Sequence, residues 1–377
     1  MATQRILDFL ATRQPEGPCL VVDLDVVQDN YRAFEKALPD SAIYYAVKAN
    51  PAPEILRLLV ALGSCFDTAS VAEIEMALDA GAQPDAISYG NTIKKERDIA
   101  RAFELGVRLF AVDCVEEVEK VARAAPGSHV FCRVLTDGEG AEWPLSRKFG
   151  CMPDMAVAVL RHAVRSGLRA HGVSFHVGSQ QTDLTAWDRA LADASRVFAA
   201  LAQEGILLKM VNMGGGFPTR YLRDVPTAQA YGQAIFGALR KHFGNNLPET
   251  IIEPGRGMVG NAGVIKSEVV LISRKSADDP VRWVYLDIGK FGGLAETMDE
   301  AIRYPIATSR DEDERAPCVL AGPTCDSADV LYEKTPYPLP ISLTIGDEVL
   351  IEGTGAYTTT YASVAFNGFE PLRSYVI

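Results

Sequence analysis

A lysine, Lys48, closes the apolar run Ile43–Val47 in YYAVKANP, and the chain turns straight after it at Ala49-Asn50-Pro51. An ammonium group at the end of a strand-like run either reaches water or is held for chemistry. Other apolar runs end on polar residues in the same way: Asp67 after SCF with Glu73 a turn further on, Arg133 in HVFCRV, His176 in FHVGSQ and Glu253 in IIEPGRG. Two glycine-rich turns belong to the same set, Gly214-Gly215-Gly216 and Gly255-Arg256-Gly257. Singly, each has a plain explanation. Strand-end lysines usually face solvent, an aspartate there can sit beside a helix cap, a histidine can be structural, and glycines permit turns. As a set they describe a phosphate pocket. Gly214–Gly216 lets backbone N–H groups approach an anion, Arg256 adds a guanidinium fork, and Ser179 a hydroxyl.

A phosphate-bearing cofactor that also needs a lysine is pyridoxal 5′-phosphate, held as a Schiff base. Lys48 would carry it, with desolvation and nearby cations favouring imine formation. Glu253 stands where a carboxylate for the ring nitrogen is needed, and His176 offers a flat stacking partner.

The elements that must position these residues alternate. Helical periodicity covers 26–37, 53–62, 70–80, 94–105, 115–124, 153–166, 184–203 and 227–243. Strand-like runs fall between them at 43–47, 64–66, 86–89, 108–112, 129–134, 172–175, 208–213 and 250–253. Eight such units predict a (β/α)₈ barrel of the TIM type over residues 24–258, with chemistry at the strand ends. An open doubly wound sheet is the alternative. Past residue 260 the pattern turns β-rich, in VIKSEVVLISRK, VRWVYLDIG, PCVLAGP and DEVLIEGTGAY. A second, all-β domain is expected from residues 259–377, joined by residues 1–23 through PCLVVDLD. SRDEDERAP reads as a solvated loop.

Composition excludes several classes. The net charge is −12 with no basic run, which argues against a nucleic-acid partner. No apolar stretch approaches a membrane span, and MATQRILDFLATRQPEG lacks a secretory core. The seven cysteines are odd in number and lack a C-x-x-C pair, so reduced thiols in a cytoplasmic protein are expected. The five histidines are dispersed, which speaks against a metal centre.

YAVKANP, FHVGSQ, MGGGFP, EPGRGMV, GPTCDSAD and GTGAYTTTYASVAFNGF, in that order and over nearly the whole chain, resemble the alanine-racemase-like (fold type III) decarboxylases that use pyridoxal phosphate, above all the bacterial lysine/ornithine decarboxylases. The resemblance implies a homodimer with active sites shared across the interface. It implies Lys48 as the Schiff-base lysine, Asp67 as a carboxylate near it, Arg133 and Glu73 as supporting residues and His176 as the stacking residue. Ser179, Gly215, Gly216, Gly255, Arg256 and Tyr357 correspond to the phosphate side, and Glu253 to the ring-nitrogen partner. Cys325 corresponds to a cysteine reaching in from the other subunit, where it controls the returning proton, and Asp326 to the acid that binds the distal ammonium.

Substrate choice is expected to follow charge at the far end of the pocket, where Asp326, Asp329, Glu296, Asp299 and Glu300 are available. Ornithine, giving putrescine, is the expected substrate, with lysine one methylene away and tuned by the loop of Gln180, Gln181 and Asp183. Phe291 stands where animal-type relatives have another aromatic residue. Diaminopimelate decarboxylation, racemisation, and cofactor binding or regulation without turnover are the rival readings.

Overall fold

The structure, a computed structural model, describes residues 2–143 and 147–377. In chain order the strands of the first two-thirds are β1 (Cys19–Val22), β2 (Ser41–Ala46), β3 (Cys65–Thr68), β4 (Ile87–Tyr89), β5 (Leu109–Val112), β6 (His129–Arg133), β7 (Ala141–Trp143), β8 (Arg169–Ser174), β9 (Ser179–Gln181), β10 (Met210–Asn212) and β11 (Glu249–Ile252). β2 to β6, β8, β10 and β11 pair in parallel, and β11 returns to β2 with Ile252 opposite Ile43. That last pairing closes a barrel and excludes the open sheet. β7 and β9 form a small antiparallel ribbon that the sequence did not announce.

The chain divides into two compact units. One holds the barrel and comprises Gln28–Pro218 and Val225–Met258. Its interior is packed: Tyr44, Ala111, Phe131, Met210 and Ile251, from five different strands, meet as one buried cluster. Short polar devices set the strand-to-helix turns. After β3, Ser70 caps the helix Val71–Asp79 by accepting the Glu73 N–H, and the Glu73 carboxylate reaches back to the Ala69 N–H at 2.7 Å. This is a variant of the capping box, with the carboxylate reaching the residue before the cap instead of the cap itself. The helix Pro53–Leu62 starts on proline and stops at Gly63, whose φ of 89° suits a left-handed cap.

The other unit comprises the chain through Val27, Thr219–Asp224 and Val259–Ile377. It holds β1 with β12 (Gly263–Ser273), β13 (Arg282–Leu286), β14 (Ile306–Thr308), β15 (Arg315–Ala321), β16 (Val330–Pro340), β17 (Glu348–Glu352) and β18 (Arg373–Val376). The order is β14-β17-β12-β13-β15-β16, with β1 paired to β12 and β18. The helix Gln4–Arg13 packs Ile6 and Leu10 on Cys19, Val21 and Val264. β16 was missed because Pro336, Pro338 and Pro340 argue against a strand. It lies at the end of the order and pairs with β15 alone, where missing N–H groups are tolerated.

All seven cysteines are free thiols. Among the described residues, no helix is long and apolar enough to cross a membrane.

Candidate active site

The C-terminal ends of the barrel strands bring four charged side chains and an imidazole together. Lys48 stands in a 3₁₀ turn, Val47–Ala49, just past β2. Its Nζ lies 3.5 Å from Asp67 Oδ2 on the neighbouring β3. Asp67 is buried, and its Oδ1 has no hydrogen-bond partner. Room for that carboxylate comes from Gly90, where a Cβ would sit 1.9 Å from Oδ1. Burial pushes the Asp67 carboxyl above its usual range, and the charges of Lys48 and Arg133 pull it back.

Glu253, one residue past β11, is pushed up to about 7 by burial and then by the Asp67 charge; Lys48, Asn212 and Arg133 oppose this. Arg133 ends β6, and burial lowers its guanidinium while Glu253, Asp67 and Asp113 hold its charge. His176 is held down at about 3 by burial first, then by Arg133 and Lys48. Its Nδ1 accepts the Gly178 N–H at 2.9 Å, so the neutral ring carries its proton on Nε2. The result is a flat, uncharged imidazole.

One expectation is reversed here. The lysine was expected to be the desolvated group, yet its side chain is 47% exposed because the turn lifts it beyond the strand end. Desolvation falls on Asp67, Glu253 and His176 instead.

The glycine turn lies against this cluster. A Cβ on Gly214 would meet the Phe175 carbonyl oxygen at 2.1 Å, one on Gly215 the Glu253 carbonyl oxygen at 2.6 Å, and one on Gly216 that of Gly178 at 2.5 Å. The Gly214 N–H donates to Asn212 Oδ1 at 2.9 Å. The anion-facing amides expected of all three glycines therefore narrow to those of Gly215 and Gly216. Buried Arg256 donates through Nε and Nη2 to Ser179 Oγ, at 3.3 and 3.2 Å. Gly255 opens that turn, its carbonyl accepting the Met258 N–H at 3.0 Å.

The loop expected to tune substrate length is held internally. Gln181 is fully buried; its Nε2 donates to the carbonyls of Val177 and Glu139, and its own carbonyl accepts from Tyr231. Asp183 is engaged by Thr185 and Arg189. Both fasten the loop that carries His176 and Ser179. Glu73, read as a cofactor neighbour, has its carboxylate on the Ala69 N–H.

The remaining predicted residues lie in the sheet unit. Cys325 and Asp326 are exposed on the loop that follows β15. The Cys325 N–H donates to Asn367 Oδ1 at 2.8 Å, and Asp326 Oδ1 accepts the Ala328 N–H at 2.8 Å. Asp329 is buried beneath them, its oxygens engaged by the loop's own groups. It takes N–H groups from Lys290 and Thr324 and the Thr324 hydroxyl. Gly289 and Gly322 leave it space, since a Cβ on either would lie within 2.3 Å of its oxygens. Glu296 is buried, Asp299 pairs with Lys334, and Glu300 holds Arg303 and backbone N–H groups of β16. Phe291 packs against Phe366 with the rings tilted and 4.7 Å between centroids, and lines a cavity of about 410 Å³ with Thr324 and Phe369. Tyr357 adopts φ 56°, its ring 5.5 Å from that of Tyr361.

Asn212, Asn367 and Gly90 were not singled out by the sequence. Asn367 lies inside the quoted GTGAYTTTYASVAFNGF and Asn212 immediately before MGGGFP, and that adjacency was the available signal.

Comparison with known proteins points the same way. Residues 24–260 match the family described as pyridoxal-dependent decarboxylase, pyridoxal binding domain. A lysine/ornithine decarboxylase of Selenomonas ruminantium is 36% identical over 372 residues, covering 97% of this chain and 91% of that protein. The crystal structure of a lysine/ornithine decarboxylase from Vibrio vulnificus complexed with cadaverine superposes with a TM-score of 0.88 at 31% identity, covering 100% of both chains. An arginine decarboxylase of Paramecium bursaria Chlorella virus gives 0.90 at 26% identity over 99% of both. The barrel residues fit pyridoxal phosphate: an amine on the rim, a buried carboxylate oxygen without a partner, and a glycine cradle that any Cβ would fill.

Proposed function

The chain belongs to the pyridoxal-dependent decarboxylases that act on basic amino acids, and on that premise we propose that it removes the α-carboxylate of L-ornithine, giving putrescine and CO₂, with lysine as a slower substrate giving cadaverine. The observation that carries this reading is the rim cluster, in which Lys48 Nζ stands 3.5 Å from a buried Asp67 beside Glu253, Arg133 and His176.

Pyridoxal phosphate, when bound, supplies a sink for the electron pair released as the Cα–carboxylate bond breaks. The chain's own groups do the rest. Lys48 anchors the cofactor and, being half-exposed, is reachable by an incoming substrate amine. Asp67 is the base that holds a proton at Lys48 Nζ, since an acid pushed up by burial is the better acceptor. Glu253 holds the ring-nitrogen proton and neutral His176 stacks without adding charge. Ser179, Arg256, Gly255 and the amides of Gly215 and Gly216 take the phosphate, and the family resemblance adds Tyr357.

Cys325 and Asp326 are exposed, which suits residues that serve the site of a second copy in a homodimer. There Cys325 delivers the proton returned to Cα, and Asp326 receives the distal ammonium. The free thiols suit a reducing, cytoplasmic setting.

The test is CO₂ release with pyridoxal phosphate from ornithine, lysine, arginine and meso-diaminopimelate in parallel, with the amines identified. Release from ornithine with putrescine formed is expected. Release from arginine or diaminopimelate alone would reassign the acidic pocket, and release from none would remove the activity.

A further inference from the structure

Between the acid cluster and the glycine turn stands a side chain that the reading above leaves without work. Asn212 closes β10 and is fully buried. Its Nδ2 donates to Glu253 Oε1 at 2.5 Å and its Oδ1 accepts the Gly214 N–H at 2.9 Å. The Glu253 N–H in turn donates to the Gly214 carbonyl at 2.8 Å, so carboxylate and turn are linked twice. We propose that Asn212 is a positioning residue: it fixes the buried Glu253 carboxylate in its ionised form and ties it to the turn that receives the phosphate. This rests on the reading of Glu253 as the ring-nitrogen partner.

The orientation of the amide follows from its neighbours. A backbone N–H can only donate, so the Gly214 side must meet Oδ1, and Nδ2 is left to face Glu253. An amide N–H stabilises the charged carboxylate more than the neutral acid. The other groups facing Glu253 divide. Burial and the Asp67 charge favour its protonation, while Lys48 and Arg133 oppose it. Tyr44 also faces Glu253 but, through burial, stays un-ionised, and His176 is neutral. Lys48 is the group that substrate amine displaces, so its help changes during turnover. The contribution of Asn212 does not, because both its ends are bound to fixed backbone and buried acid.

The inference is tested on the holoprotein by serial dilution at several pH values between about 6 and 9, reading the cofactor absorbance that remains bound. Asn212→Leu keeps the shape and removes both hydrogen bonds. At about pH 6 its cofactor dissociation constant is expected to rise about tenfold, one pKa unit of lost help to a carboxyl that titrates at about 7, and at about pH 7 about fivefold. At about pH 9 the gap should close to about twofold, since Glu253 then ionises unaided. A loss of equal size at every pH would mean that Asn212 merely packs, and would overturn the proposal, as would no loss. If the leucine variant does not fold, Asn212→Ala takes the same measurement.

Glu253→Gln separates the two failures. If it binds cofactor and turns over like the natural chain, the reading of Glu253 fails and the Asn212 role falls with it. If it is impaired while Asn212→Leu is unchanged, the role of Asn212 alone falls.

Discussion

The barrel rim and the Cys325 loop arrange polar groups in opposite ways. On the rim the acids and the imidazole are themselves buried and only Lys48 is half-exposed: burial pushes Asp67 and Glu253 toward protonation, the Asp67 charge pushes Glu253 further, and Lys48 and Arg133 resist. In the sheet unit one acid, Asp329, is buried as a support and the reactive side chains are exposed. Asp329 organises the loop from below, and Asn367 pins the Cys325 amide, while Cys325 and Asp326 point outward. The first arrangement fixes protonation states in advance. The second fixes the position of a loop and leaves its chemistry to whatever surface meets it. Variants in the two regions should therefore fail differently.

The largest effect is expected from Lys48→Ala. It should abolish the imine absorption band and lower turnover by about a thousandfold or more, about 4 kcal/mol of barrier. Full activity in that variant would overturn the cofactor assignment. Cys325→Ala should behave unlike it. The band should persist while the turnover number drops about a hundredfold, the usual scale for losing a proton donor. An unchanged rate and product would remove Cys325 from the mechanism and leave the rim as the whole of the chemistry.

The same contrast explains what could be read from the sequence. In a barrel, a polar residue that ends an apolar run is placed on the rim by topology alone, so Lys48, Asp67, Arg133, His176 and Glu253 were visible as a set. The partners that tune them were not. Asn212 reaches Glu253 across 41 residues, and Gly90 makes room for Asp67 from the next strand end. No local pattern encodes either contact. The acids of the sheet unit misled in the other direction. Asp329 looked like a substrate ligand because it is an acid in the GPTCDSAD motif, yet it takes two backbone N–H groups and a hydroxyl. A carboxylate in a glycine-flanked loop reads the same whether it faces a ligand or its own backbone.

Asp329→Ala tests that correction with a smaller effect. Losing a buried carboxylate that accepts three hydrogen bonds should cost about 3 kcal/mol of stability, read as a lower urea midpoint. Turnover should fall several-fold as the loop loosens, while cofactor absorbance stays normal. A raised Michaelis constant with unchanged stability would return Asp329 to the substrate pocket.

The smallest effect comes from the rim's own charge competition. The Glu253 carboxyl is raised in the folded chain to about 7 from an ordinary 4.5. Between those values the native state keeps a proton that the unfolded state has released. The stability from this group is thus complete below about pH 4.5 and is lost as pH rises through about 7. Urea midpoints of the cofactor-free protein at about pH 5 and pH 8 should show that loss, and Glu253→Gln should reduce it by about 1–3 kcal/mol. His176 works in the opposite sense. Its pKa falls to about 3, so its contribution is present above its ordinary 6.5 and is lost as pH falls toward 3. The Gln variant should therefore flatten the alkaline side of the profile and leave the acid side standing. Equal flattening on both sides would show that the rim titrates as one unit, and that Glu253 cannot be assigned a charge of its own.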